Sequence, residues 1–343
     1  MPPKLPPNSP KIGGQGVEEL FSKESTMTAP VTSHGVLSRS TTELRQLQER
    51  ILEQKKKLNA VIVAHNYQWP EIQDIADFVG DSLELARQST QVDAQVIVFC
   101  GVHFMAESAA ILNPSRTVLL AEGSAGCPMA DMIDVADLRE WKERYPKAGV
   151  VCYVNSSAAV KAECDICCTS ANGVKVVESL PHVEILFVPD QNLGHYISTK
   201  TKKRMILYPG FCITHHRLRP EQVKLAKQLH PDAVVVVHPE CTPEVVALAD
   251  AVLSTSQMLR FARENPARSF LIGTEEGLLY RLRKENPDKT FYILYPGMMC
   301  PNMKRTTLET VVTTMETMRN IITVPEEIRL RAKRTLDRML AVV

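Results

Sequence analysis

The sequence predicts three homologous α/β domains, each a three-layer sandwich on a parallel sheet, arranged about a pseudo-threefold axis. Three observations carry the prediction. A polar template recurs: His65-Asn66-Tyr67, Tyr153-Val154-Asn155 and His238-Pro239-Glu240 are each followed by an aspartate (Asp77, Asp165, Asp250) and then by a hydroxyl residue (Ser82, Ser170, Thr255), at twelve and five residues' spacing. The template starts lie 88 and 85 residues apart, which is the signature of an internal repeat. Short apolar runs alternate with amphipathic helical stretches, as in α/β units with parallel strands. Finally, one cysteine in a Gly/Pro-rich turn trails each template: Cys127, Cys212 and Cys300 stand 62, 59 and 62 residues after its start. Equivalent units about an axis bring one polar loop and one cysteine from each to a common centre, which marks an active site and a candidate metal position.

Taken in order, residues 1–39 are rich in Pro, Ser, Gly and Thr and carry Glu18, Glu19 and Glu24. Without a basic start or an apolar core they read as a disordered extension rather than a secretory signal. Ser40-x-x-Glu43 reads as a capping box for a helix to about Asn59. Ala60–Ala64 is the first run of the kind found in fully buried parallel strands. It is followed by Val96–Phe99 and Thr117–Leu120, by Val150–Val154, Val183–Val188 and Met205–Tyr208, and by Ala233–Val237, Phe270–Ile272 and Thr290–Leu294. That is three strands per repeat of about 86 residues. The units divide as 40–147 with the leading helix, 148–232 and 233–317; within 318–343, Pro325 opens a final helix to about Leu340 that packs back on the body.

Composition narrows the function. At 343 residues and 44% hydrophobic, the chain buries a large core. A net charge of +1 gives no electrostatic case for nucleic acid or a membrane surface, and no apolar run reaches the roughly 18 residues of a bilayer span. Nine cysteines without an export signal point to a cytoplasmic protein, whose thiols are metal ligands, catalysts or core residues rather than disulfides.

In each unit one helix is expected to end near the aspartate and a second to start at Ser82, Ser170 or Thr255. A hydroxyl there suits an N-cap. Three such N-termini converging instead make an anion pocket, because free N–H groups and helix dipoles both favour negative charge. Repetition favours that second reading and a small substrate bearing carboxylate or phosphate.

Superposing the repeats sorts the cysteines. Cys164, Cys167 and Cys168 contain a Cys-x-x-Cys, often a metal or redox motif. They align, however, with Ala76, Val79 and Gly80 and with Ala249, Val252 and Leu253, which read as small or apolar helix positions, so these thiols read as core. Cys100 and Cys152 sit in apolar strands and read the same way; Cys241 could line the site without binding metal. Cys127, Cys212 and Cys300 differ, each exposed by a turn after a strand. A structural zinc normally takes four ligands in closely spaced pairs. Single cysteines this far apart suit a [4Fe–4S] cluster on three thiolates with one iron free, with zinc or simple buried thiols as the alternatives.

Several motifs in register resemble the quinolinate synthase family: His65-Asn-Tyr-Gln, Asp74-Ile-Ala-Asp-Phe-Val-Gly-Asp-Ser82, Cys100-Gly-Val-His-Phe-Met-Ala-Glu107 and Ala125-Gly-Cys-Pro-Met-Ala-Asp131. So do Tyr153-Val-Asn-Ser, Cys168-Thr-Ser-Ala-Asn172, Pro209-Gly-Phe-Cys212-x-x-His215, His238-Pro-Glu-Cys241 and Cys300-Pro-Asn-Met-Lys304. The resemblance spans about Ala60 to Leu308. It implies a transferase of NAD biosynthesis that condenses iminoaspartate with dihydroxyacetone phosphate to quinolinate, releasing phosphate and water, with an L-aspartate oxidase or dehydrogenase supplying the imine. It implies three α/β domains about a pseudo-threefold axis, with a [4Fe–4S] cluster on Cys127, Cys212 and Cys300. It also implies that His65, Ser82, Tyr153, Asn155, Ser170, His238 and Thr255 line the substrate pocket, that Tyr67 and Glu240 handle protons, and that His215 lies near the cluster. Two features depart from the family. Some members carry Cys-x-x-Cys-x-x-Cys at the last ligand, where this chain has Cys300 alone, which argues against a disulfide switch there. The Cys167-Cys168 doublet has one cysteine more than expected.

The chemistry expected of these residues is a Lewis-acid iron assisting dehydration, Glu240 abstracting a proton with its pKa raised in a closed site, Tyr67 relaying one and His238 beside them. Ser82, Ser170 and Thr255 hold the anionic groups. His103 stands in a conspicuous stretch but reads equally well as structural. Two other classes remain: a cluster-dependent hydro-lyase acting on a small di- or tricarboxylate, and an iron or oxygen sensor. The near-neutral charge and the lack of an evident DNA-binding helix count against the sensor.

Overall fold

The computed structural model describes residues 41–342. The expected extension over 1–39 and the expected cap Ser40 lie outside the described residues, and the leading helix runs Thr41–Leu58. The compact unit Leu44–Val343 is built on three four-stranded sheets. The first contains β1 (Ala60–His65), β2 (Phe78–Gly80), β3 (Val96–Cys100) and β4 (Thr117–Leu120), in the order β2-β1-β3-β4. The second contains β5 (Gly149–Tyr153), β6 (Ile166–Cys168), β7 (Glu184–Val188) and β8 (Arg204–Leu207), in the order β6-β5-β7-β8. The third contains β9 (Val234–Val237), β10 (Ala251–Val252), β11 (Ser269–Gly273) and β12 (Thr290–Ile293), in the order β10-β9-β11-β12. All pairings within the sheets are parallel.

The nine apolar runs read from the sequence are the long strands. They are mostly apolar because helices cover both faces of a parallel sheet; β3 and β5 are buried at every position. Ile62, Val63, Ile97 and Val98 are fully enclosed, each contributing about 1.5–3 kcal/mol. The second face of the first sheet packs on Val311, Val312 and Met315 of the helix Leu308–Thr317. The C-terminal helix Glu326–Ala341, with Pro325 at its N-cap, buries Ala332, Leu336 and Met339 and packs on the helices Ala158–Ala162 and His103–Leu112 and on β6. No helix among the described residues is long and apolar enough to cross a membrane.

Each sheet has one strand more than expected. β2, β6 and β10 are edge strands of two or three residues, too short to show a periodicity. Cys167 and Cys168, and Val79, Gly80 and Val252 in the matching places, are therefore strand residues and not the helix positions the repeat alignment suggested. The core reading stands: Cys100, Cys152, Cys167, Cys168 and Cys241 are fully buried and Cys164 is half-buried against the same cluster as Cys152.

The repeated aspartate has a structural task at this junction. Asp77 accepts a hydrogen bond from the Ile62 N–H, Asp165 from Val150 and Asp250 from Val235, all at 2.8 Å. Each aspartate's own N–H returns a bond to the same residue's carbonyl, at 2.8, 3.0 and 2.9 Å. The carboxylate replaces a ladder partner that the short edge strand cannot supply, setting its register. Asp165→Ala should leave that N–H unpaired and lower stability by about 1–3 kcal/mol, read as a shift in urea midpoint.

In every sheet the order reverses between the first and third strands, and ligands of open α/β sheets bind at the carboxyl ends of such a switch point. Flanking it are His65–Tyr67 and Gly101–His103 in the first unit. Tyr153–Asn155 and Pro189–Asp190 flank it in the second, and His238–Glu240 and Thr274–Glu275 in the third.

Candidate active site

All three switch points open on one cavity of about 780 Å³, solvent at its mouth included. Its wall holds His65, Tyr67, Ser82, Tyr153, Asn155, Ser170, His215, His238, Glu240 and Thr255 together with Cys127, Cys212 and Cys300. The residues singled out from the repeat and from the family resemblance thus come together at one place. His103 does not: it lines a neighbouring recess with Glu107, its Nδ1 lying 3.9 Å from that carboxylate. Cys241 also stays out, packed in the core of the third unit.

The loops after β1 and β9 form the same turn. Tyr67 N–H donates to His65 Nδ1 at 3.2 Å and Glu240 N–H to His238 Nδ1 at 3.3 Å. With Nδ1 accepting, a neutral ring carries its proton on Nε2, and His238 Nε2 lies 3.2 Å from Ser170 Oγ. Burial lowers both histidines to about 3, outweighing the attraction of Glu240. Both therefore present neutral N–H donors. Stability should fall on acidification: below about pH 6.5 the unfolded chain takes up protons that the folded histidines refuse, costing ~1.4 kcal/mol per pH unit for each ring. Urea midpoints at about pH 7.5 and about pH 5.5 check this slope.

In the second unit a tyrosine occupies the histidine's place, and its hydroxyl donates to Glu240 Oε1. The other carboxylate oxygen lies 2.7 Å from His215 Nδ1. His215 Nε2 is 2.9 Å from Thr274 Oγ1, which is 2.6 Å from the Tyr67 hydroxyl. A continuous chain Tyr67–Thr274–His215–Glu240 thus joins all three units. With Glu240 holding Nδ1–H, Nε2 is free to accept the threonine proton, and the threonine oxygen that of Tyr67. The expected direction of the Glu240 shift is corrected here. Burial alone would push its pKa up, but His238, His215 and the Tyr153 hydrogen bond hold it well below the usual carboxylate range. It accepts from the Tyr153 hydroxyl through one oxygen and faces His215 Nδ1 through the other. Tyr67 and Tyr153 are pushed well above their ordinary values, first by burial and then by Glu240, and stay neutral phenols.

The expected trio of helix N-termini is also corrected. Ser82 and Thr255 are the first residues of the helices Ser82–Gln91 and Thr255–Glu264, but the caps are Asp81 and Ser254, each in a capping box. Ser170 precedes the helix Gly173–Ser179, whose N-cap is Asn172. At these termini the Asp81 carboxylate accepts from the N–H groups of Leu83 and Glu84, and the Ser254 hydroxyl from that of Gln257. This leaves hydroxyls for the cavity: Thr255 Oγ1 accepts from Asn66 Nδ2 at 3.0 Å, and Asn66 is held by Arg281 at 2.8 Å.

The cysteines share one local geometry. The carbonyls of Cys127, Cys212 and Cys300 accept from the N–H four residues on, in Asp131, His216 and Lys304, at 3.2, 2.9 and 3.2 Å, so each sulfur sits at the start of a helical turn. Burial still pushes all three thiols up, Cys127 to about 12. Three half-buried sulfurs on one wall, with Cys300 raising the other two and Cys127 raising Cys212, become thiolates only beside a cation. The Thr214 hydroxyl, buried on the same wall, lies beside the Cys300 thiol. A donor set of three thiols on one wall fits an iron–sulfur cluster. Cys212, His215 and Glu240 also have ligand atoms within 4.8 Å of one another.

Repeat reasoning did not find Thr274, Asp190 and Glu275. Strand register offered the signal: Cys100, Val188 and Gly273 pair with the residues before the three anchors, so Val102, Asp190 and Glu275 occupy one repeat position.

Fold and cavity together define an α/β enzyme with a buried proton chain and a thiol-lined wall. The sequence profile "NadA: Quinolinate synthetase A protein" matches residues 49–341. A quinolinate synthase of Thermodesulfovibrio yellowstonii is 57% identical over 296 residues, 86% of this chain and 98% of the relative. One of Geotalea uraniireducens is 58% identical over 284 residues, 83% and 93%. "Quinolinate synthase 1" of Methanosarcina acetivorans is 55% identical over 294 residues, 86% and 97%. The chain belongs to the quinolinate synthetase A family.

Proposed function

We propose that this protein is a quinolinate synthase of NAD biosynthesis that condenses iminoaspartate with dihydroxyacetone phosphate, releasing phosphate and water. One observation carries the reading: the proton chain from Tyr67 to Glu240 and the three cysteines face the same enclosed cavity. Cys127, Cys212 and Cys300 hold a [4Fe–4S] cluster, whose iron without a cysteine supplies a Lewis acid for loss of water. The chain's own residues do the rest. Neutral Nε2–H groups of His65 and His238 and the hydroxyls of Ser82, Ser170 and Thr255 hold carboxylate and phosphate oxygens, and Asn155, whose side-chain oxygen has no partner, takes a donor group of the substrate. Tyr67 gives and takes the reacting proton, passing it through Thr274 to His215, where Glu240 stabilises the imidazolium. Burial excludes water from the reactive imine.

The test is quinolinate formation by protein purified without oxygen and supplied with both substrates, iminoaspartate being generated in place by an L-aspartate oxidase or dehydrogenase. Product that disappears after exposure to air supports the reading, and its absence from a preparation holding iron and sulfide overturns it. The proximity of Cys212, His215 and Glu240 favours a second reading, a single metal ion at that triad. One metal per chain with no acid-labile sulfide would select it.

A further inference from the structure

We propose that Asp190 and Glu275 are positioning residues that seat two of the three cluster cysteines, an assignment resting on the cluster reading above. Both carboxylates are fully buried, an expensive placement unless their oxygens are fully used. Asp190 accepts from Leu193 N–H through Oδ1 at 2.8 Å and from Cys212 N–H through Oδ2 at 3.2 Å. Glu275 accepts from Cys300 N–H through Oε1 at 3.1 Å and from Gly277 N–H through Oε2 at 2.7 Å. The residues come from one repeat position, two beyond the third strand of their sheets, and each grips the cysteine of its own unit. Backbone packing matches: a Cβ on Gly210 would stand 2.6 Å from Pro189 O, so only glycine lets the Cys212 loop lie against the Asp190 segment. The first unit carries Val102 at that position, and its cysteine loop is tied by the His103 N–H to Ala125 O bond at 2.8 Å instead.

The two clamps differ in reach. Lys304 Nζ lies 3.0 Å from Glu275 Oε1 and donates to Tyr67 O at 2.6 Å, so Glu275 holds both a cluster ligand and the loop of the proton-handling tyrosine. Asp190 holds Cys212 alone. In both, each oxygen faces a backbone donor. An amide cannot substitute, because its NH2 would oppose one of those N–H groups.

The test compares anaerobically reconstituted wild type, Asp190→Asn and Glu275→Gln with Asp165→Asn, the same exchange at a carboxylate–backbone bond on the amino-terminal ends of the second sheet's strands, away from the Cys212 and Cys300 loops. The readouts are iron release to a chelator, the electron paramagnetic resonance spectrum of the dithionite-reduced protein, and far-ultraviolet circular dichroism. Asp190→Asn and Glu275→Gln should release iron at least about tenfold faster than wild type and show an altered spectrum with native circular dichroism. Asp165→Asn should match wild type in iron release and spectrum. Should one variant fail to fold, the other carries the test at its own cysteine. Release and spectra equal to those of Asp165→Asn overturn the assignment. A wild type that never holds iron and sulfide overturns the cluster reading, and this one with it.

Discussion

Glu240→Gln should reduce quinolinate turnover by about 10²–10⁴-fold while the chain keeps its iron. The carboxylate accepts from Tyr153 through one oxygen and from His215 through the other. A glutamine keeps the volume but has one acceptor oxygen, so its NH2 group must oppose either the phenol or Nδ1–H. If it opposes Nδ1–H, His215 moves its proton to Nε2, which can then no longer accept from Thr274, and the chain to Tyr67 is cut at its centre. The anion that stabilises the imidazolium is also gone. Because Glu240 is held well below the ordinary carboxylate range, its charge persists through mildly acidic conditions, and the acid limb of the wild-type rate should not report Glu240. Turnover near the wild-type level in the iron-loaded variant would remove Glu240 from the mechanism.

Cys300→Ala should bring turnover to background and iron well below the roughly four atoms per chain of a full cluster. Among the described residues three thiols line the cavity, so two remain, and neither His215 nor Glu240 is spare: the first is engaged with Thr274 and the second with Tyr153. The fold should survive, since Cys300 is half-buried in a loop and outside all strands. The expected signature is a protein with native circular dichroism that has lost its visible absorbance. Full iron and sulfide in this variant would refute the three-cysteine assignment.

The sequence made the architecture legible because burial on both faces of a parallel sheet writes strands as unbroken apolar runs, as in Val96–Cys100. A repeated polar template also marks the same edge of each sheet. The edge strands were not legible, since two residues such as Ala251 and Val252 carry no period and are placed by an aspartate bond fifteen residues back. Within the site, residues beside the template were readable and those elsewhere were not. Thr274 follows a strand with no motif around it, and its role exists only because His215 of the second unit and Tyr67 of the first approach it. The charge state of Glu240 was misjudged for a related reason: enclosure alone raises a carboxylate, and the two histidines that reverse the shift come from distant parts of the chain and from its own loop.

The most direct measurement is quinolinate turnover against cluster occupancy in a single oxygen-free preparation, with iron and acid-labile sulfide counted at each stage of loading. We expect turnover to rise in proportion to the fraction of chains holding a four-iron cluster and to vanish in the apoprotein. Turnover in a sulfide-free protein, or a fully loaded protein that makes no quinolinate, would contradict the assignment of this cavity.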